Sequence, residues 1–142
     1  MRRSFLSLLV LALIGSVFVP VADSHVGGPP SGEPKTCTGS DNYVKSCFEI
    51  NGDDFWVYDD DRDFRSAVIF YETARGGTGE CRNAHGIGKW HECLFDMNET
   101  GPSGCTNVVQ WWHYTYDAQT NDYNYISGPY SSYVDTPPTC PV

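Results

Sequence analysis

Positive charge is scarce in this chain. Nine lysines and arginines stand against 18 aspartates and glutamates, for a formal net charge of −9. That balance excludes a basic nucleic-acid footprint and a polybasic membrane surface. Long apolar runs are nearly absent as well. Residues 5–19 form one, broken by Ser7, Gly15 and Ser16, and no second run follows. A basic start at Arg2-Arg3, this run, and the small residues around Pro20-Val21-Ala22 have the order of a secretory signal peptide. A membrane span needs about 20 apolar residues and no cleavage site. Residues 1–22 are therefore expected to be a leader, and the chain to be secreted to the extracellular side. Loss of Arg2 and Arg3 with the leader takes the net charge from −9 to −11. What remains is enough for a single domain.

Helical periodicity is also missing. No window carries apolar residues at i, i+3, i+4 and i+7 behind a capping residue, and no internal repeat is present. The templates of common enzymes are missing too: no Gly-x-Ser-x-Gly elbow, no His-Glu-x-x-His and no phosphate loop. No Cys-x-x-Cys pair suggests a metal knuckle. The sequence thus points away from an enzyme, and it implies no cofactor.

What the chain does have is six cysteines, all beyond the leader: Cys37, Cys47, Cys81, Cys93, Cys105 and Cys140. An even count in an exported chain of this size reads as a disulfide framework. Six cysteines allow 15 connectivities, among which sequence alone does not choose. The sequential pairing Cys37–Cys47, Cys81–Cys93 and Cys105–Cys140 is the expected one. A thiol nucleophile is then excluded.

Residues 23–36 hold three prolines and three glycines and should be a flexible lead-in to a domain spanning 37–142. Strand character begins after Asn42. Residues 43–50 run into Asn51-Gly52, a strong two-residue hairpin signal, and residues 55–58 return. A charged connection, 59–65, leads to the β-branched-rich stretch 66–72. The glycine-rich stretch 74–80 reads as a loop. Further strands are expected at 89–96, 108–116 and 123–126, with a proline-bearing extended tail over 127–142. About six strands with turn signals between them predict an all-β fold, a small antiparallel sandwich or barrel stapled by disulfides.

Between residues 47 and 97, short turn and cysteine motifs carry a likeness. They run through Cys47-Phe48, Gly52-Asp53, Trp56-Val57-Tyr58-Asp59 and Ser66-Ala67-Val68, then Gly79-Glu80-Cys81-Arg82-Asn83 and Gly86-Ile87-Gly88-Lys89-Trp90-His91-Glu92-Cys93. This stretch resembles small exported proteins of actinobacteria whose function is unknown. The resemblance implies a bacterial host, a β-rich fold and a Cys81–Cys93 bridge, and it brings no catalytic residue with it. The sequence after Cys105 departs from the pattern.

Two constellations could carry chemistry. Asp59, Asp61 and Asp63 alternate as in a calcium loop. An EF-hand needs glycine at its sixth position and glutamate at its twelfth, where this chain has Phe64 and Phe70. A calcium site of another kind would use the same three carboxylates; the simpler reading is a solvated connection relieved by Arg62 and Arg65. The second constellation is aromatic. Eight rings fall within residues 111–133. On a strand, Trp112, Tyr114 and Tyr116 share one face, with Tyr123 and Tyr125 able to lie across from them. Adjacent Trp111 and Trp112 must point to opposite faces. Such a row can stack on saccharide rings, or it can be a ladder of rings packed on one another. His85, His91 and His113 have no metal-ligand spacing, so only the fold could bring them together.

Two functions follow. One is a non-catalytic extracellular domain that engages a protein partner, as an inhibitor or surface-associated factor, through the loops 59–65 and 74–80. The alternative is a carbohydrate-binding module using Trp112, Tyr114, Tyr116, Tyr123 and Tyr125. Exposure of those rings separates the two.

Overall fold

The computed structural model describes residues 27–135. The expected leader and Cys140 lie outside that range. Among the described residues there is no helix. Eight strands form two antiparallel sheets. Sheet I has the order β1-β2-β3-β6, built from β1 (Lys35–Cys37), β2 (Val44–Glu49), β3 (Asp54–Asp59) and β6 (Trp90–Cys93). Sheet II has the order β5-β4-β7-β8, from β5 (Thr78–Asn83), β4 (Ser66–Thr73), β7 (Val108–Asp117) and β8 (Asp122–Tyr133). The expected sandwich class is correct, with eight strands rather than about six.

The alternation of each strand explains the layering. In β2, Val44, Ser46 and Phe48 point inward, while Lys45, Cys47 and Glu49 point out. In β7, Val109, Trp111, His113 and Thr115 are buried between the sheets, and the residues between them face away. The inner faces meet in a core that includes Val44, Phe48, Phe55, Val57, Ile69 and Trp111. Each large side chain buried this way contributes about 1.5–3 kcal/mol. Phe55 sits at the centre, with its ring centroid 4.9 Å from Phe48, 5.4 Å from Trp111 and 5.5 Å from Tyr71.

Two disulfides have complementary places. Cys37–Cys47 crosses β1 and β2 within sheet I. Cys81–Cys93 joins β5 to β6 and so fastens the edge of one sheet to the edge of the other. Cys105 is also disulfide-bonded; its expected partner, Cys140, lies outside the described residues. At the opposite edge, Thr36 Oγ1 and Ser132 Oγ are 2.8 Å apart, tying β1 to β8.

The two additional strands and one longer strand have physical causes. Strand β1 starts at Lys35, inside the proline-rich stretch read as a lead-in, and three residues are too few to show a period. Strand β5 begins at Thr78, inside the glycine-rich stretch 74–80 read as a loop, of which residues 74–77 do form the turn. Gly79 fits there because the Tyr71 ring lies over it: a Cβ at Gly79 would stand 2.5 Å from Tyr71 Cε1. Strand β8 continues to Tyr133, through part of the stretch read as a tail. It tolerates Pro129 because β8 is an edge strand with a bulge opposite Trp111 and His113. The Asn51-Gly52 turn is also corrected. The last pair of the β2–β3 hairpin is Glu49 with Asp54, so the loop is four residues, 50–53. The positive φ falls on Asp53, at 59°.

Candidate functional site

The aromatic rings of β7 are divided between the two faces of sheet II. Trp111 is fully buried in the core, whereas Trp112, Tyr114 and Tyr116 are half-buried on the outer face. Register sets the rest of that face. Tyr114 lies opposite Tyr125 and Tyr116 opposite Tyr123, as the sequence suggested. Tyr123 and Tyr125 are 41% and 56% exposed. The rings therefore point to solvent, not between the sheets.

Neighbouring strands complete this face with residues the sequence reading missed. Phe70 of β4 pairs with Trp112 across the strands, and its ring centroid is 5.1 Å from those of both Tyr114 and Tyr123. The Arg82 guanidinium lies 4.5 Å above the Tyr116 ring. Glu80 accepts a hydrogen bond from the Tyr123 hydroxyl at 3.1 Å. Val68, opposite Arg82 and Tyr114 in register, is fully buried. Period-two alternation in β4 and β5 would have placed Phe70, Glu80 and Arg82 on one face, but only the β5-β4-β7 order puts that face beside the tyrosines. A shallow trough beside the aromatics is lined by Phe70, Trp112, Glu72 and Glu80 among others. Aromatic rings beside carboxylate acceptors suit a ligand with apolar C–H faces and hydroxyl edges.

The aspartates of the calcium reading do not converge. Among the described residues, the groups whose ligand atoms lie within 4.8 Å of one another are Glu49 with Asp54 and Glu92, and Cys81 with His91 and Cys93. Asp59 is only 3% exposed and accepts a hydrogen bond from the Asp61 backbone amide at 3.3 Å. Asp63 Oδ1 accepts one from the Arg65 amide at 2.9 Å. Burial, followed by the charges of Asp63, Asp61 and Asp60, pushes Asp59 up to about 6. This connection carries Phe64, which is fully exposed and holds a φ of 61°. Phe64, Ile87 and Ala84 face a cavity at this end of the sandwich, together with Arg62 and Arg65.

An Asp-His-Ser sequence of hydrogen bonds crosses the core, and no motif announced it. His113 Nδ1 is 2.6 Å from Asp41 Oδ2, and His113 Nε2 is 2.8 Å from Ser46 Oγ. Trp111 Nε1 donates to Ser46 Oγ at 2.8 Å, and the Tyr130 hydroxyl donates to Ser127 Oγ at 2.9 Å, which in turn donates to Asp41. Every donor can point toward the Asp41 carboxylate if His113 is the neutral Nδ1–H tautomer. Burial is the main reason that His113 is held below its usual value. The connectivity is that of a hydrolase triad, yet Ser46 and His113 both have zero exposure. No substrate can reach the serine, so the network serves to bind sheet I to sheet II.

Of the three histidines beyond residue 27, the fold brings two together. His85 Nε2 and His91 Nδ1 are 3.0 Å apart, while His113 is held apart from them in the core network. No helix among the described residues is long and apolar enough to cross a membrane. No family model, curated protein or solved structure matches this chain.

Proposed function

We propose that this protein is an exported, non-catalytic binding domain that holds saccharide chains on the outer face of sheet II. The observation that carries the reading is the solvent-facing aromatic surface formed by Phe70, Trp112, Tyr114, Tyr116, Tyr123 and Tyr125. A contiguous patch of exposed rings beside polar residues marks a site of interaction. Glu72 and Glu80 at the trough offer acceptors for sugar hydroxyls. The disulfides suit an oxidising compartment outside the cell, and the likeness of residues 47–97 to exported actinobacterial proteins supports a bacterial source. The test is a glycan array and insoluble-polysaccharide pull-down with the wild type and Trp112→Ala. Retention of one saccharide class by the wild type, lost in the variant, supports the reading. Equal retention by both, or none by either, overturns it.

A second reading rests on a separate observation. Phe64 is a fully exposed aromatic at positive φ on the loop between β3 and β4. Strain of this kind persists where surrounding structure imposes it, and functional loops are a common place for it. Under this reading, Phe64 anchors an extracellular protein partner. A photo-crosslinking residue at position 64 should give one adduct, displaced by excess unmodified protein. Absence of a displaceable adduct overturns it.

A further inference from the structure

The loop joining β5 to β6 and the start of β6 present two imidazoles, His85 and His91, to each other on a frame with little freedom. Asn83, which is fully buried, closes the base of this loop. Its Nδ2 donates to the carbonyls of Val57 at 3.0 Å and Lys89 at 2.6 Å, and its Oδ1 accepts from the His85 amide at 2.9 Å. Gly86 and Gly88 take the positive φ values, 83° and 76°, that let so short a loop reverse. The Gly88 amide donates to the Asp59 carbonyl at 2.8 Å. Beneath the loop, Cys81–Cys93 locks β5 to β6. The backbones of His85 and His91 are thus fixed by side-chain, main-chain and covalent ties.

On that frame His85 Nε2 and His91 Nδ1 are 3.0 Å apart, with ring centroids 4.9 Å apart and planes inclined at 54°. Two neutral imidazoles at this distance share a single proton. The same distance matches the bite of one metal ion. Two metal–nitrogen bonds of about 2.0–2.1 Å put the nitrogens about 2.9 Å apart at a right angle and about 3.3 Å apart at a tetrahedral one. Imidazole suits Cu2+, Ni2+ and Zn2+, and a near-right-angle bite suits the tetragonal preference of Cu2+ and Ni2+.

We propose that His85 and His91 form a bidentate site for one divalent transition-metal ion, with Cu2+ bound most tightly. His85 is exposed, so its ring can turn to aim Nε2 at an ion beside His91 Nδ1. The proton that the two rings share moves to a nitrogen facing away, so the neutral pair stays neutral and water fills the other positions. The sulfurs of Cys81 and Cys93 lie close to His91, but they are bonded to each other and are not ligands. The order of affinity should be Cu2+ above Ni2+ and Zn2+. The site belongs to the β5–β6 edge and does not depend on the saccharide reading.

The experiment is calorimetric titration of the oxidised, full-length exported protein with Cu2+ and with Zn2+, repeated on His85→Ala and His91→Ala. The wild type should bind one Cu2+ more tightly than Zn2+. Each variant should lose that affinity by at least about tenfold, since one of two ligands is gone. His85→Ala removes an exposed side chain and leaves the fold intact, so it remains informative if the half-buried His91 proves needed for folding. The electron paramagnetic resonance spectrum of the copper-loaded wild type should show coupling to two nitrogens, reduced in His85→Ala. No copper binding by the wild type, or equal binding by wild type and His85→Ala, overturns the proposal.

Discussion

His113 shows how one buried residue can be held by its neighbours without doing chemistry. Its Nδ1–H donates to Asp41, whose other oxygen accepts the Val44 amide at 2.8 Å. Asp41→Asn replaces one acceptor oxygen by a donor. Whichever way the amide turns, either the Val44 amide or the His113–Ser127 pair faces a donor instead of an acceptor. The expected loss is about 1–3 kcal/mol, read from urea unfolding. Asp59 gives a pH signature of the opposite kind from a salt-bridged acid. Its value in the fold is about 6 against 3.8 when free, so between those two pH values the folded state holds a proton the unfolded chain does not. Stability from this group therefore rises as pH falls from about 6 toward 3.8. His113, held below 6.5 by burial, works in the other direction, because the unfolded chain takes up its proton first. Melting temperatures of wild type and Asp59→Asn across this range isolate the first effect. The wild type should gain on the variant as pH is lowered, and parallel curves would refute the burial assigned to Asp59. None of this was visible in the residue types. Asp59 reads as one more solvated charge in an acidic run, and only the pairing of β3 with β2 and β6 encloses it.

At the scale of elements, the edges matter most. A sandwich leaves four edge strands, here β1, β6, β5 and β8. Cys81–Cys93 joins β5 to β6, and the Thr36–Ser132 contact joins β1 to β8. The double variant Cys81→Ala/Cys93→Ala should lose about 2–4 kcal/mol, measured by denaturant unfolding. It should also free the loop that carries His85. The strands that sequence identified were β2, β3, β4, β6, β7 and the first part of β8; β1, β5 and the rest of β8 it did not. Those it lost owe their place to partners. β5 is held by its pairing with β4, with Gly79 under the Tyr71 ring, and β8 extends past Pro129 because an edge position spares the missing amide. The hairpin after β2 shows the same limit. Asn51-Gly52 marks a turn correctly, but the register of Glu49 with Asp54 decides its length.

At the scale of the whole molecule, charge separates the two binding readings. The chain is strongly acidic, so a protein partner attracted by that charge should associate more slowly as salt rises, because the screening length is about 10 Å at 0.1 M. Stacking of neutral saccharide on rings is not screened. Retention on polysaccharide should therefore change little when salt is raised about tenfold above 0.1 M, and it should fall about tenfold or more in Trp112→Ala, since an aromatic contact is worth about 1 kcal/mol beyond its buried area. A pull-down across a salt series checks both statements, and retention that vanishes with salt counts against the saccharide reading. By itself the sequence determined the all-β class and the opposite facing of Trp111 and Trp112. It also set the candidate aromatic row and a disulfide framework, without choosing among its 15 pairings. These are local properties of alternation, turn chemistry and spacing. Only the tertiary structure decided that the aromatic row faces water, that Asp41, Ser46 and His113 meet across the sheets, and that His85 and His91 face each other. The first two need strands distant in sequence to become neighbours, and strand order follows from how two whole faces pack together; the third needs the β5–β6 loop closed by the Asn83 hydrogen bonds.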